Sequence, residues 1–203
     1  MRSERNRESQ AGESEKILPT RCAALHNHGV PALQIIGSAE VQAAIDRLAA
    51  AIAARHPDPR GVLLLGIANG GIELARRLGE RLRLPAGIVD IAFHRDDFGS
   101  HPIPKETTCS RIPGEVQGAT VILVDDVLFT GRTVKAAINE VFDHGRPEAV
   151  ELAVLVDRGG RRLPIAADHR GLELPAAENR RVSVRLDPAD PRRDEIRLAP
   201  ASR

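Results

Sequence analysis

The sequence predicts an α/β fold with a mainly parallel, five-stranded sheet flanked by helices. Three observations carry this. Short apolar runs, Val62–Leu65, Val121–Val124 and Val150–Val156, have the length of buried strands. Amphipathic stretches with helical period separate them. The two kinds of segment alternate along the chain, as βαβ units require.

The elements follow in order. Ser38 reads as an N-cap with Glu40 in the first turn. Val41, Ile45, Leu48 and Ile52 then line one helix face, and Pro57 and Pro59 end the helix. Val62–Leu65 is the first strand, followed by the loop Gly66–Gly71. Ile72, Ala75, Leu78 and Leu82 mark a second helix, stopped at Pro85, and Ile88–Phe93 is the second strand. Residues 95–118 lack helical period and contain three prolines, so they are expected to form a long functional loop. Val121–Val124 is the third strand. Arg132–His144 is a helix with Val134, Ala137, Ile138 and Val141 inward, Gly145 past its end and Pro147 beyond. Val150–Val156 is the fourth strand, and the alternating Val182–Leu186 reads as a fifth, less buried one. Residues 1–37 are expected to be a disordered or irregular extension, 38–187 the single domain, and 188–203 a polar tail.

Composition narrows the function classes. The chain has 203 residues, 42% of them hydrophobic and 28% charged, which excludes wholesale disorder. No run of 18 apolar residues occurs, so a membrane-spanning helix is not expected. The net charge of +1 gives no global attraction to nucleic acid. Trp and Tyr are absent and only Phe93, Phe98, Phe129 and Phe142 are aromatic, which leaves few platforms for stacking single-stranded bases. Cys22 and Cys109 lack metal-binding or disulfide spacing, and the polar start has no apolar signal core. A cytoplasmic protein is expected.

The chemistry concentrates in Val121–Thr133, VILVDDVLFTGRT. An apolar strand runs straight into Asp125-Asp126. Adjacent carboxylates at a buried strand end repel each other and lose solvation, so a cationic or hydroxyl-bearing partner is expected to compensate. Thr130-Gly131-Arg132-Thr133 then turns into a helix. Its backbone amides, its hydroxyls and the helix N-terminus form a cradle for phosphate. Carboxylates for a sugar diol beside a cradle for its phosphate suit a ribose 5-phosphate. A Walker A loop and a dinucleotide fingerprint are absent. A receiver domain places its paired acids after the first strand and has no use for the Thr-Gly-Arg-Thr turn.

Val121–Val124, the acid pair and Thr130–Thr133 resemble the PRPP-binding signature of type I phosphoribosyltransferases, where PRPP is 5-phosphoribosyl 1-diphosphate. The longer run VILVDDVLFTGRTVKAAINEVFDHGRP…LAVLVDRGGRRLPIAAD is similar to the bifunctional pyrimidine operon regulator/uracil phosphoribosyltransferase family. The resemblance covers about residues 38–187. It implies a type I phosphoribosyltransferase fold with a small hood and a flexible loop. The implied reaction converts uracil and PRPP to UMP and diphosphate with Mg²⁺. In some bacteria it also implies UMP-dependent binding to an mRNA leader, and a homo-oligomer is expected.

The resemblance also assigns residues. Asp125, Asp126, Val127, Leu128, Phe129, Thr130, Gly131, Arg132 and Thr133 would hold the ribose and 5-phosphate. Asp125 and Asp126 would contact the ribose hydroxyls or Mg²⁺-bound water. Asn69, Gly70 and Gly71 match the diphosphate loop, where several family members carry Thr-Arg-Gly. Phe93–Phe98 matches the start of the flexible loop, where Arg95 would reach diphosphate, with Lys105 and Arg111 as weaker candidates. Asp157, Arg158, His169 and Arg170 would hold the base, His169-Arg170 standing where the family has an aromatic and an aliphatic residue. Residues 158–181 hold six arginines and three acids, a modest basic cluster for RNA, but Gly160 replaces a family histidine beside Arg161. Uracil phosphoribosyl transfer is therefore the expected main activity, with weak RNA binding. The alternatives are a UMP-responsive RNA-binding attenuation regulator with weak or no transferase activity, and a nucleotide sensor using the same pocket.

Overall fold

The computed structural model describes residues 33–67, 70–92, 109–177 and 179–201. Strand β1 (Gln34–Ile36) leads into helix α1 (Ser38–Arg55), strand β2 (Val62–Ile67), helix α2 (Gly71–Leu82) and strand β3 (Ala86–Val89). Strand β4 (Thr120–Leu128), helix α3 (Arg132–Asp143) and strand β5 (Ala149–Asp157) follow, then strands β6 (His169–Glu173), β7 (Arg180–Arg185) and β8 (Glu195–Pro200).

Five strands form a sheet in the order β3-β2-β4-β5-β6, with every neighbouring pair parallel. Side chains alternate between its faces. Ile122, Val124, Ala153 and Leu155 pack with Ile45, Leu48, Leu74 and Leu78 of α1 and α2. Val121, Leu123, Leu152 and Val154 pack with Val134, Ala137 and Val141 of α3 on the other side. Burial on both faces explains why these strands read as continuous apolar runs.

Chain order places the ligand site. From β2 the chain passes through α2 to β3 on one side, and then returns to β4 on the other side of β2. The connections thus reverse direction between β2 and β4. In open parallel sheets, such a reversal leaves a crevice beyond the C-terminal strand ends. Gly70-Gly71 at the start of α2 and the end of β4 both face it.

Several expectations from the sequence differ from the structure. Residues 34–36, in the segment read as disordered or irregular, form β1, and the strand read at Ile88–Phe93 lies at Ala86–Val89. The fifth strand of the parallel sheet is β6, not the segment around Val182. That segment is β7, which lies in a separate antiparallel sheet of order β1-β8-β7. Residues 188–203, read as a tail, carry β8, whose Ile196 and Leu198 are buried against α1 and α2. Ser38 does not cap α1, because it is already helical; Gly37 precedes the helix, and its carbonyl accepts from Val41 N–H at 3.2 Å.

The small sheet is tied to the helices by a buried charge cluster. Arg77 of α2 is 3% exposed and donates to Asp194, to Glu73 Oε1 at 2.6 Å and to the Asp187 carbonyl at 2.7 Å. Asp194 also accepts from Gln42 Nε2 at 2.6 Å and from the Asp187 N–H at 2.8 Å. Removing the acid leaves a buried guanidinium short of its main partner, which costs about 3–5 kcal/mol. Asp194→Ala is therefore expected to lower unfolding free energy by about that amount in urea titrations. A loss under about 0.5 kcal/mol, typical of a surface substitution, would contradict the clamp.

Candidate active site

Strand β4 runs on through the acid pair. Asp125 lies opposite Val154 of β5, and the pairing continues to Leu128 and Asp157. The two acids are thus embedded in the strand rather than following it. The ladder skips Asp126, passing from Asp125 opposite Val154 to Val127 opposite Val156, and the two carboxyls stay close enough to interact with each other. Asp125 is 5% exposed. Asp126 lies against the Gly70-Gly71 turn. A methyl group at Gly70 would run into the Asp126 carboxyl, and one at Gly71 into the Val124 carbonyl. Glycine is needed at both positions so that the loop backbone can approach β4 this closely.

Past β4 the chain turns at Gly131, in the left-handed region at φ 89°, and enters α3. The Thr130 hydroxyl accepts from Arg132 N–H at 3.3 Å. The Thr130 carbonyl takes the Arg162 and Leu163 amides, each at 3.1 Å. The bond to the Thr130 hydroxyl takes the first amide of α3; Gly131 at the N-cap position offers no side-chain cap, and the first turn carries no acid. The amides that follow Arg132 in this turn are placed to receive an anion.

The end of β5 completes the rim. Asp157 pairs with Arg161 at 2.6 Å and accepts from Gly159 N–H at 3.0 Å. Arg161 also donates to the carbonyls of Leu128, Phe129 and Ile165, so it ties the ends of β4 and β5 to the segment beyond. Arg158 is buried, with its guanidinium 3.7 Å from the Phe129 ring centroid. A loop backbone pressed on one acid, a helix N-terminus without an acidic residue after a Thr-Gly-Arg-Thr turn, and a rim of β5 residues thus surround the crevice.

Comparison with known proteins gives the family. Residues 36–188 match the phosphoribosyl transferase domain family. The bifunctional protein PyrR of Roseiflexus sp. (strain RS-1) is 42% identical over 163 residues, covering 77% of this chain and 89% of that protein. Its namesake from Geobacter sulfurreducens is 43% identical over 162 residues, covering 77% and 92%. The chain belongs to the bifunctional PyrR family of phosphoribosyltransferases. The sheet also resembles that of a purine phosphoribosyltransferase from Pyrococcus horikoshii Ot3, at 28% identity and a TM-score of 0.51, over 66% of this chain and 82% of that one. A hypoxanthine phosphoribosyltransferase from Staphylococcus aureus shares the fold at 18% identity and a TM-score of 0.53, over 72% and 78%. No described helix is long and apolar enough to cross a membrane.

In this PyrR-family chain the fold gathers Asp125, Asp126, residues 127–133, Gly70, Gly71, Asp157 and Arg158 at the C-terminal strand ends. Asn69, Arg95 and Lys105 lie outside the described residues. Arg111 is anchored through its backbone by paired hydrogen bonds of 2.8 Å to Ile88, so the last part of the expected loop is fixed to β3.

His169 is not brought to the site. It is 4% exposed and level with Ala153, and its Nε2 lies 2.9 Å from Glu151 Oε2, toward the opposite end of β5. An imidazole buried against a carboxylate cannot stack on a base. Arg170 sits level with Asp125 but two strands away, exposed and paired with Glu173. Arg158 spends its guanidinium on Phe129 and on the Ala177 and Arg180 carbonyls. The arginines read as an RNA-binding cluster are thus largely engaged within the fold. Arg161, read as part of the basic cluster, is the tether of the site rim; its i, i+4 spacing from Asp157 is the available signal.

Electrostatics mark the acid pair. Burial pushes the Asp125 carboxyl well above the usual carboxylate range, and the neighbouring Asp126 charge adds to this. Burial also raises Asp126. Among the described residues neither acid has a basic partner, although Asp126 N–H donates to Asp125 Oδ1 at 3.0 Å. A raised carboxyl holds its proton more tightly in the folded state, so it costs stability as pH rises from the unfolded value through the folded one. Asp125→Asn keeps the Oδ1 acceptor and removes the charge. Thermal melts of the ligand-free chain should show it more stable than wild type at pH 8, with the gap closing below about pH 4. A variant less stable than wild type at pH 8 would contradict the assignment.

Proposed function

We propose that the chain transfers ribose 5-phosphate from PRPP to uracil, giving UMP and diphosphate. The observation that carries this is the Asp125–Asp126 pair, embedded in β4 between the Gly70-Gly71 backbone and the N-terminus of α3. The crevice offers acceptors for a sugar diol flanked by two separate anion cradles, which matches the three parts of PRPP.

The roles follow from position. Amides and hydroxyls of Thr130–Thr133 grip the 5-phosphate, helped by the N-terminal dipole of α3. Asp125 and Asp126 accept from the ribose hydroxyls. Gly70 and Gly71 present backbone amides to the diphosphate. The bond from C1′ of the ribose to the diphosphate oxygen breaks, the bond from C1′ to uracil N1 forms, and the N1 proton leaves to solvent. No covalent nucleophile is needed, because positioning and stabilisation of leaving-group charge carry the rate. The donor set also fits Mg²⁺, since a buried and a half-buried carboxyl with no basic partner among the described residues suit a hard cation with oxygen ligands. When bound with PRPP, Mg²⁺ would neutralise charge on the departing diphosphate. Arg95 is proposed to contact the diphosphate, and the base is proposed to lie beside Asp157 at the end of β5.

UMP-dependent RNA binding is placed second. The family's bifunctional name favours it, but Arg158 and Arg161 are engaged inside the fold and Arg170 pairs with Glu173 at the surface, which leaves a smaller basic face than the sequence suggests.

An assay with PRPP, Mg²⁺ and uracil, hypoxanthine, xanthine or orotate tests the reading. Uracil should be the base consumed. The double variant Asp125→Asn/Asp126→Asn should lose turnover. Thr133→Ala should raise the PRPP KM about 10- to 100-fold, through a charge-assisted hydrogen bond worth about 1.5–3 kcal/mol. Unchanged kinetics in the double variant would overturn the site, and consumption of a purine alone would overturn the substrate.

A further inference from the structure

A second cluster of ligand-type side chains lies away from the crevice. His56, Glu151 and His169 each present a donor atom, and these three atoms lie within 4.8 Å of one another. His56 Nε2 is 3.0 Å and His169 Nε2 is 2.9 Å from the same oxygen, Glu151 Oε2. Glu151 and His169 are buried, at 6% and 4% exposure, and the His56 side chain is 16% exposed.

Three elements bring these residues together. Pro57 follows His56 and disfavours helical geometry there, so the chain leaves α1 at φ −121° and ψ 71°. Glu151 shares a face of β5 with Ala153 and Leu155, the face packed on α1. His169 opens the edge strand β6. Glu151 lies opposite Ile122, three residues before Asp125 on β4. At about 3.3 Å per residue, the cluster sits about 10 Å back along the sheet from the acid pair.

We propose that His56, Glu151 and His169 bind a divalent transition-metal ion, zinc by preference. Two imidazoles and one carboxylate are a common ligand set for zinc. Bonds of about 2.0–2.2 Å to one ion set such donors about 3.0–3.5 Å apart, so small side-chain rotations suffice. Arg55 Nε donates to the other carboxylate oxygen, Oε1, at 2.7 Å, and orients Glu151 from outside the ligand set. The carbonyl end of α1 adds a partial negative charge beside His56, which favours a cation. Burial pushes the Glu151 carboxyl up, but hydrogen bonds with His56, His169 and Arg55 outweigh this and hold it at about 2, so the carboxylate is ready to ligate. Each imidazole would ligate through Nε2 with its proton on Nδ1. The partial exposure of His56 gives the ion a path in and leaves room for a water as fourth ligand.

The test uses the full chain carrying Cys22→Ser and Cys109→Ser, to remove thiol binding, and stripped with a chelator. Zn²⁺ is titrated by calorimetry, Co²⁺ uptake is followed by visible absorption, and ring ¹⁵N shifts are recorded by NMR. The expected result is one ion per chain, a Co²⁺ spectrum of nitrogen and oxygen ligation, and Nε2 shifts at His56 and His169. His56→Gln should weaken binding tenfold or more while the apo fold and transferase turnover stay as in the parent. Glu151→Gln should do the same to binding if the chain folds. An absence of uptake, or equal uptake with His56→Gln, would overturn the proposal and leave the cluster as a hydrogen-bonded packing element.

Discussion

Two carboxyl groups held inside a strand are the constraint on which the site depends. Strand β4 does not stop at Asp125; it runs through both acids to Leu128, with pairing to β5 at Asp125, Val127 and Leu128. The two carboxyls are held close enough to interact with each other. Asp126 meets the Gly70-Gly71 backbone, and Asp125 is buried. Neither position favours a bare charge. The free chain therefore stores an electrostatic cost at the place where a sugar, a phosphate and a cation would relieve it. The surrounding structure serves to hold that arrangement. The reversal of strand order between β2 and β4 opens the crevice, and Arg161 ties the strand ends around it. A site that is costly when free is a common exchange of stability for activity.

The sequence made much of this legible, for physical reasons. Strands buried on both faces are apolar without alternation, so β2, β4 and β5 stood out. Helices α1 and α2 carried clear stripes because each packs one face on the sheet. The acid pair and the Thr-Gly-Arg-Thr turn were legible because few structural roles need those residues together. Strand β6 was hidden: His169-Arg170-Gly171-Leu172-Glu173 has no apolar run, and its buried members are a histidine and a glycine. Strand β7 alternates and is a strand, but alternation gives no partner, so its antiparallel sheet with β8 and β1 was out of reach. His169 was misplaced because its neighbours along the chain pointed to the base site. Its partner Glu151 is 18 residues away and visible only in three dimensions.

The periphery shows how charge is used in a chain with few aromatics. Arg77 and Asp194 lock the small sheet to α2, and Arg158 lies on the ring of Phe129. Guanidinium groups here do work that larger apolar side chains often do: they span elements and satisfy several carbonyls at once. An arginine-rich stretch in such a chain is therefore weak evidence for nucleic acid. Arginine count alone does not separate tethers from a binding face; burial and partners do.

The central claim is that the acid pair is held protonated above the ordinary range by burial and is relieved by ligand. Carboxyl ¹³C NMR titration of aspartate-labelled protein, with and without Mg²⁺ and PRPP, reads this directly, with Asp125→Asn and Asp126→Asn giving the assignments. In the free chain a carboxyl belonging to the pair should titrate well above the other aspartates. With Mg²⁺ and PRPP bound it should move down, into or below the ordinary range. A pair that titrates with the other aspartates in the free chain, or does not respond to Mg²⁺ and PRPP, would contradict the account.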